Sequence, residues 1–216
     1  MKLIESEPAG AQENMDRDVQ LLEAMEPALH IYAWKNPSVT YGHFFKVEEH
    51  FYKEAVKRYG LDLGKRPTGG GALFHLYDFA FSLTLPAGHP LFSENTLECY
   101  RKVNGWVASA LSPLFSASML QSAPASPSQF CMAQPTIYDL VVEGKKIGGA
   151  AQRRTRGGVL HQGTISLARP EEALITDVLK NGAFLYSEML EKSFFLDGSL
   201  EALRMKVRAA LIKNLV

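Results

Sequence analysis

The two cysteines of this 216-residue chain, Cys99 and Cys131, are the first residues to consider for chemistry. A cysteine thiolate can attack an activated carbonyl and hold the acyl group as a thioester, but most free cysteines are small buried hydrophobes. Cys99 falls on the apolar stripe of a predicted helix, which favours packing. Cys131 follows a stretch rich in Pro, Ser and Ala (121–129) that we predict to be a loop. Whether Cys131 packs or reacts is therefore the central question that the sequence poses.

Three consecutive glycines, Gly69 to Gly71, form the most unusual local feature. Such a run costs backbone entropy and usually occurs where the backbone turns sharply or approaches another group closely. It matches neither a Walker A loop nor a dinucleotide-binding fingerprint. Arg66 precedes the run and can hold a carboxylate or phosphate, or pair with Asp78. His75 follows it, and can contact a ligand or bond only to the protein.

A predicted hairpin at 138–154 carries Lys145 and Lys146 beside its turn. A lysine ammonium can stabilise the negative charge that develops on an acyl carbonyl oxygen, although hairpin lysines are commonly just solvated. The six histidines are scattered without an H-x-x-x-H or C-x-x-C pair, so the sequence predicts no metal site.

Hydrophobic periodicity predicts the elements that must position these residues. Helices are predicted at 12–26, 47–59, 93–112, 171–180 and 183–192, with a last one from about Ser199, and strands at 29–34, 39–44, 77–86, 138–142, 146–153 and 158–168. Helices and hairpins alternate without a regular βαβ order. This predicts an α+β fold with a mixed, largely antiparallel sheet and packed helices.

Composition excludes several classes of protein. Lys plus Arg and Asp plus Glu both number 23, so the net charge is zero, which argues against a protein whose main work is gripping nucleic acid. Two cysteines are too few for a disulfide framework. No run of about 18 apolar residues predicts a membrane span, and the N-terminus has no signal-peptide pattern. We therefore expect a cytoplasmic protein that binds neither membrane nor nucleic acid.

Two long segments together resemble the signatures of the lipoate/biotin protein ligase and octanoyltransferase superfamily. The first is KRPTGGGALFH (65–75), followed by Asp78 and Ser82. The second is YDLVVEGKKIGGAAQRR (138–154), followed by LHQGTI (160–165). Both motifs are specific, and they stand in the family's order. The resemblance covers roughly residues 14–170 and implies the catalytic-domain fold of these enzymes.

The resemblance implies an enzyme of protein lipoylation, which modifies one lysine of a lipoyl domain. Octanoyltransferases of this superfamily take octanoyl from acyl carrier protein through a cysteine thioester and need no cofactor. Lipoate–protein ligases instead use ATP and Mg to form lipoyl-adenylate before transfer. The implied partners are acyl carrier protein and lipoyl-domain proteins, namely the E2 subunits of 2-oxoacid dehydrogenases and the glycine cleavage H protein.

The resemblance also implies roles for individual residues. CMAQPTIYDL (131–140) is similar to the Cys-dependent octanoyltransferases, which makes Cys131 the expected nucleophile, and Lys146 matches the family's motif lysine. Gly149 or Ala150 stands where the family often has serine. The residues expected around the substrate are Arg66, Thr68, Gly69, Gly70, Gly71, Ala72, His75, Asp139, Gly148, Gly149, Ala150, His161 and Gly163.

Length favours the transferase, because about 46 residues follow Pro170, too few for the accessory domain that ligases of this family usually carry. We expect one catalytic domain over 1–216, with a motif-bearing core at about 14–170, helices at about 171–216 and no separate accessory domain. The alternatives are a lipoate–protein ligase A in which Cys131 is structural, a biotin ligase, and a non-catalytic relative that only binds lipoyl domains.

Overall fold

A computed structural model describes residues 1–122 and 130–216. The strands are β1 Lys2–Glu5, β2 Ala28–Tyr32, β3 Ser38–Tyr41, β4 Asp62–Lys65, β5 Ala72–His75, β6 Asp78–Pro86, β7 Ser118–Met119, β8 Leu140–Val142, β9 Lys145–Arg154 and β10 Gly158–Ser166. The helices are α1 Ala11–Ala24, α2 Val47–His50, α3 Lys53–Arg58, α4 Thr96–Phe115, α5 Glu172–Val178, α6 Gly182–Lys192 and α7 Leu200–Leu215, with a 3-10 turn at Cys131–Ala133. Most of the loop predicted at 121–129 lies outside the described residues.

The described strands form two sheets. Seven strands pair in the order β1-β2-β6-β10-β9-β8-β7, and three in the order β4-β3-β5. In the large sheet only β1 and β2 are parallel, and the small sheet has one parallel and one antiparallel pair. The predicted α+β fold with a mixed, largely antiparallel sheet is thus confirmed.

Strands β8 and β9 form a hairpin, and Lys146 is the second residue of β9. Its turn residues, Glu143 and Gly144, both have positive φ, at 52° and 77°, which is the backbone of a tight two-residue turn. The pairing then shifts register between Leu140 and Val141. Such a bulge re-aims side chains, and it explains how residues 146 and 149 share a face that a regular strand would not give them.

Among the described residues, the two largest hydrophobic cores flank the sheets. The larger packs the central strands of the seven-stranded sheet against α4 and α7. The smaller joins β3 and β5 to α3, α5 and α6. The helices beyond residue 170 therefore complete both cores. In the described part of the chain, no helix has the length and apolarity that a bilayer crossing would require.

The single helix predicted over 47–59 is wrong, because Phe51 and Tyr52 are extended and separate α2 from α3. Phe51 bridges to Leu179, and the Tyr52 amide donates to the Val178 carbonyl at 2.9 Å. Pairing with the end of α5 replaces helical hydrogen bonds at this point. Apolar residues spaced by four reveal the buried face but not a distant backbone partner.

Candidate active site

A cavity of about 440 Å³ lies between the glycine-rich loop after β4, the 3-10 turn and strands β9 and β10. Its volume is in the range of small-molecule binding sites. Twelve of the residues singled out in the sequence line it: Arg66, Gly69, Gly70, Gly71, His75, Cys131, Asp139, Lys146, Gly148, Gly149, Ala150 and Gly163. Folding thus brings both signature segments and Cys131 to one space.

Thr68, Ala72 and His161 are buried beside the cavity and are not among its lining residues. Thr68 donates to the Gln162 side chain at 2.8 Å, and Ala72 opens strand β5. His161 is fully buried, and burial lowers its pKa to about 3. It is therefore neutral at physiological pH, with Nδ1 3.0 Å from the Gln152 amide. The geometry places all three behind the cavity wall.

Lys146 is tied to the segment that carries Cys131. Its Nζ donates to the Cys131 carbonyl at 2.8 Å and to the Gln134 carbonyl at 3.3 Å, and lies 2.7 Å from Asp139 Oδ2. These three acceptors match the three protons of an ammonium. Asp139 Oδ2 also accepts from the amide and hydroxyl of Thr136, at 2.7 and 3.0 Å. Lys146 thus holds the Cys131 turn in place as well as bringing positive charge beside it.

Gly149 leaves the space that this ion pair occupies. A Cβ atom at Gly149 would lie 2.8 Å from Lys146 Cε and 2.9 Å from both Lys146 Nζ and Asp139 Oδ1. These distances are shorter than van der Waals contact, so a side chain here would displace the ammonium. Gly149 is one of the two positions, 149 and 150, where the resemblance often has serine, and a glycine there is matched to the local packing.

Arg66 organises the glycine-rich loop from inside. Its buried guanidinium donates to the Thr40 carbonyl and hydroxyl, both at 2.9 Å, and to the Gly69 and Gly71 carbonyls at 3.2 and 2.7 Å. Gly70 has a φ of +97°, which favours glycine. The alternative pairing of Arg66 with Asp78 is not formed, since one terminal nitrogen of Arg66 bonds to Thr40 on β3 and the other to the loop carbonyls.

His75 belongs to a buried chain of hydrogen bonds. Its Nε2 lies 2.7 Å from Thr40 Oγ1, and its Nδ1 lies 2.6 Å from Asp78 Oδ2. Thr164 donates to the same carboxylate oxygen at 2.6 Å. Burial alone would raise the pKa of Asp78, but the charge of His75 and the hydrogen bonds from His75 and Thr164 hold that pKa below its usual value. His75 is thus fixed at the cavity wall from both ring nitrogens.

A second buried network was not anticipated from the sequence. Asp18 on α1 lies 2.9 Å from His30 Nδ1, and accepts from Ser82 at 2.5 Å and from the Gln162 amide at 2.7 Å. Gln162 in turn accepts from Thr68 in the glycine-rich loop. One sequence pattern points to this network: the polar residues Asn14 and Asp18 are four positions apart and share the face of α1 that also buries Met15 and Leu22.

Comparison with known proteins agrees with this arrangement. A sequence model of the lipoyl protein ligase A/B catalytic domain family matches residues 10–183. Octanoyltransferase LipM of Geobacillus kaustophilus (strain HTA426) is 35% identical over 177 residues, 76% of this chain and 64% of that protein. The LipM of Bacillus subtilis (strain 168) is 28% identical over 231 residues, 94% of this chain and 83% of that protein. The chain thus spans less than two thirds of the length of the Geobacillus relative.

Solved structures share the fold. A lipoate-protein ligase A bound with ATP superposes with a TM-score of 0.75 at 23% identity, covering 99% of this chain and 85% of that one. The bipartite lipoate protein ligase of Thermoplasma acidophilum, solved with its E2 lipoyl domain, gives 0.74 at 22% identity, covering 99% and 83%. These structures show the shared fold, and the sequence model that matches residues 10–183 shows that the chain belongs to the lipoyl protein ligase A/B catalytic domain family.

Proposed function

We propose that this chain is an octanoyltransferase, which moves an octanoyl group from acyl carrier protein to a lipoyl-domain lysine through a thioester at Cys131. One observation carries the proposal: Cys131 is only half-buried and lines the cavity on a turn held by Lys146. That several relatives are named octanoyltransferases supports it further.

In the first step, the Cys131 thiolate attacks the carbonyl carbon of the octanoyl thioester. A new C–S bond forms at Cys131, the bond to the carrier breaks, and the carrier's sulfur leaves and takes up a proton. The octanoyl chain then occupies the cavity. Leu73, Met15 and Ile137 supply apolar surface for it.

Lys146 assists by stabilising negative charge on the acyl oxygen during the attack. Its three protons already have acceptors, so one bond must be exchanged. The bond to the Gln134 carbonyl is the longest of the three, at 3.3 Å, and is the one we assign to this exchange. Asp139 keeps the ammonium in position throughout.

In the second step, the neutral amine of the acceptor lysine attacks the Cys131 thioester. The amide bond forms, the Cys131 thiolate leaves, and the amine gives up a proton. This cycle consumes no ATP, so we propose that the enzyme needs no cofactor. The terminal nitrogens of Arg66, the residue that a phosphate would engage, are bonded to Thr40, Gly69 and Gly71.

The proposed partners are acyl carrier protein and lipoyl-domain proteins such as 2-oxoacid dehydrogenase E2 subunits and the glycine cleavage H protein. Lys145, Arg153 and Arg156 are exposed around β9 and supply positive charge that attracts acidic carrier domains. A cytoplasmic location suits this chemistry, because a thiol nucleophile must stay reduced. We further propose that residues 1–216 act as one catalytic domain, with the C-terminal helices completing both cores.

The test is incubation of the purified chain with octanoyl-acyl carrier protein in the absence of ATP, followed by intact-mass measurement. We expect one octanoyl adduct, which is lost in Cys131→Ala and retained in Cys99→Ala. Cys99 is a matched control because it is buried in the large core and is not among the residues that line the cavity. Addition of a lipoyl domain should discharge the adduct onto its lysine.

Other outcomes separate the alternatives. ATP-dependent lipoyl-adenylate without a Cys131 adduct would replace the transferase with a lipoate–protein ligase. Binding of a lipoyl domain without either reaction would indicate a non-catalytic relative.

A further inference from the structure

Ser193, directly after α6, contacts the Cys131 turn although it lies 61 positions after Met132 in the chain. Ser193 Oγ donates to the Met132 carbonyl at 2.7 Å. Ser193 is buried and lines the cavity. It lies outside both signature segments and beyond residues 10–183, which the family model matches.

Ser193 is itself anchored to the strand that carries Lys146. Lys146 and Ser193 form a parallel bridge, and the Phe194 amide donates to the Lys146 carbonyl at 2.7 Å. The Lys146 ammonium in turn holds the Cys131 and Gln134 carbonyls. The contacts therefore close a ring, from the Cys131 turn to Lys146, from Lys146 to Ser193, and from Ser193 back to the turn.

We propose that Ser193 is a positioning residue for the Cys131 nucleophile, acting through its hydrogen bond to the Met132 carbonyl; this rests on the proposed octanoyl transfer through Cys131. Two adjacent carbonyls of the turn are held by two side chains, Lys146 and Ser193. With both held, the Cys131 backbone has one orientation relative to the cavity. Loss of the Ser193 bond leaves a carbonyl of the turn without this donor, and the turn can then shift.

The backbone conformation at Ser193 allows two variants of similar shape, one with the hydroxyl and one without it. Its φ of −103° and ψ of 147° are extended, which suits β-branched residues. Ser193→Thr keeps the hydroxyl, and Ser193→Val has nearly the same shape without it. The methyl group added to the serine side chain is common to both variants, whereas the second methyl group of Ser193→Val stands where the hydroxyl was, 2.7 Å from the Met132 carbonyl oxygen. Ser193→Ala needs no extra room and tests the same loss where the larger side chains do not fit.

The measurement is the single-turnover rate of octanoyl loading onto Cys131. Because misplacement of a reacting group by about 1 Å can cost on the order of 100-fold, we expect Ser193→Val and Ser193→Ala to load at least about tenfold more slowly than the unmodified chain. Ser193→Thr should stay within about threefold of it. The half-saturating concentration of octanoyl-acyl carrier protein should not change, since Ser193 holds the nucleophile rather than the carrier.

Ser187→Ala is the matched control, because Ser187 is exposed on α6 and takes no part in the ring of contacts. It should load at the unmodified rate. Equal loading rates for Ser193→Thr and Ser193→Val, or an unmodified rate in Ser193→Ala, would overturn the proposal. A common loss of loading that tracks a lowered unfolding temperature in every Ser193 variant would also overturn it, since the residue would then be structural only.

A second readout separates this inference from the proposed function. Alkylation of Cys131 by iodoacetamide, measured by intact mass in a Cys99→Ala background, reports on the turn without any acyl transfer. We expect it to be about threefold faster or more in Ser193→Val than in Ser193→Thr, because the freed turn opens. If the unmodified chain takes no octanoyl but this difference remains, the proposed function fails and the anchoring stands. Equal alkylation rates would refute the anchoring itself.

Discussion

The Lys146 ammonium donates to three acceptors, and Gly149 has no side chain that would fill the space the ammonium occupies. The Asp139 carboxylate balances its charge at 2.7 Å, while two carbonyls connect it to the Cys131 turn. The side chains of the pair are 11% and 4% exposed, so their interaction is weakly screened by water. Small changes at these residues should therefore affect both stability and acyl transfer.

Gly149→Ala tests the space requirement. The new Cβ would lie under 3 Å from Lys146 and Asp139 atoms, so we expect octanoyl loading to fall about 10- to 100-fold. Gly88→Ala is the control, since nothing lies within 4 Å of a Cβ there. Loading by Gly149→Ala at the unmodified rate would show that the ammonium has room to move.

Lys146→Met tests the ion pair. It leaves the Asp139 carboxylate buried without its cation, which should lower the free energy of unfolding by about 3 kcal/mol in urea denaturation. Adding Asp139→Asn removes the unpaired charge and should restore at least about 1 kcal/mol of that loss. If the double variant is no more stable than Lys146→Met, the charge of Asp139 is not the cause.

His161 predicts a pH dependence of stability. Burial lowers its pKa to about 3, whereas an unfolded histidine titrates near 6.5. Below pH 6.5 the unfolded state binds the proton and the folded state does not, so the folded state loses stability as pH falls from 6.5 towards 3. Relative to His161→Gln, the chain should lose about 1.4 kcal/mol between pH 7.5 and 5.5.

Urea denaturation at both pH values measures this difference, and other titrating groups cancel in the comparison. His43→Gln, at an exposed position, controls for the loss of a histidine as such. A difference that does not change with pH would mean that His161 becomes protonated within the fold.

Helix α7 stabilises the fold by packing its buried face against the large hydrophobic core. Val207, Leu211 and Leu215 are buried and pack in the same cluster as Val103 and Leu111 of α4. Glu201, Lys206, Arg208 and Lys213 on its other positions are exposed. This helix lies far along the chain from the signature segments, yet it supports the sheet that carries them.

Leu211→Ala should therefore destabilise the fold by about 3 kcal/mol, because it removes a fully buried side chain and leaves a cavity. Met205→Ala on the same helix is the control, since Met205 is 66% exposed. Urea denaturation compares the two. Equal stabilities would indicate that α7 is only loosely attached.

For the whole molecule, the cavity depends on how the two sheets are joined. The glycine-rich loop connects β4 to β5 in the small sheet, and Gln162 lies on β10 of the large sheet. Thr68 in the loop donates to Gln162, which donates onward to Asp18 on α1. This chain of hydrogen bonds fixes the loop against the floor of the cavity.

Thr68→Val keeps the shape of the side chain and removes its donor. We expect a loss of about 1–2 kcal/mol of unfolding free energy and faster amide hydrogen exchange in the glycine-rich loop. In a double-mutant cycle with Gln162→Leu, the two losses should be less than additive. Strict additivity would show that the two side chains do not interact.

Local patterns predicted much of this fold and site. The period of apolar residues predicts α1, α4 and α7, and the predicted hairpin over 138–154 contains the turn that the structure forms at Glu143 and Gly144. Arg66, the glycines and Lys146 lie in short segments whose spacing is informative by itself. In contrast, Ser193 reaches a residue 61 positions away, and Gln162 one 144 positions away, and no local period encodes such partners.

By itself, the sequence determined the fold class, the two signature segments and the candidates Cys131 and Lys146, because these depend on residues near one another in the chain. Only the tertiary structure decided that Lys146 holds the Cys131 turn, that His161 lies behind the cavity wall, and that Ser193 completes the contacts. The physical reason is that strand order and the β-bulge in β9 set which distant side chains meet, and burial then sets their charge and hydrogen bonding.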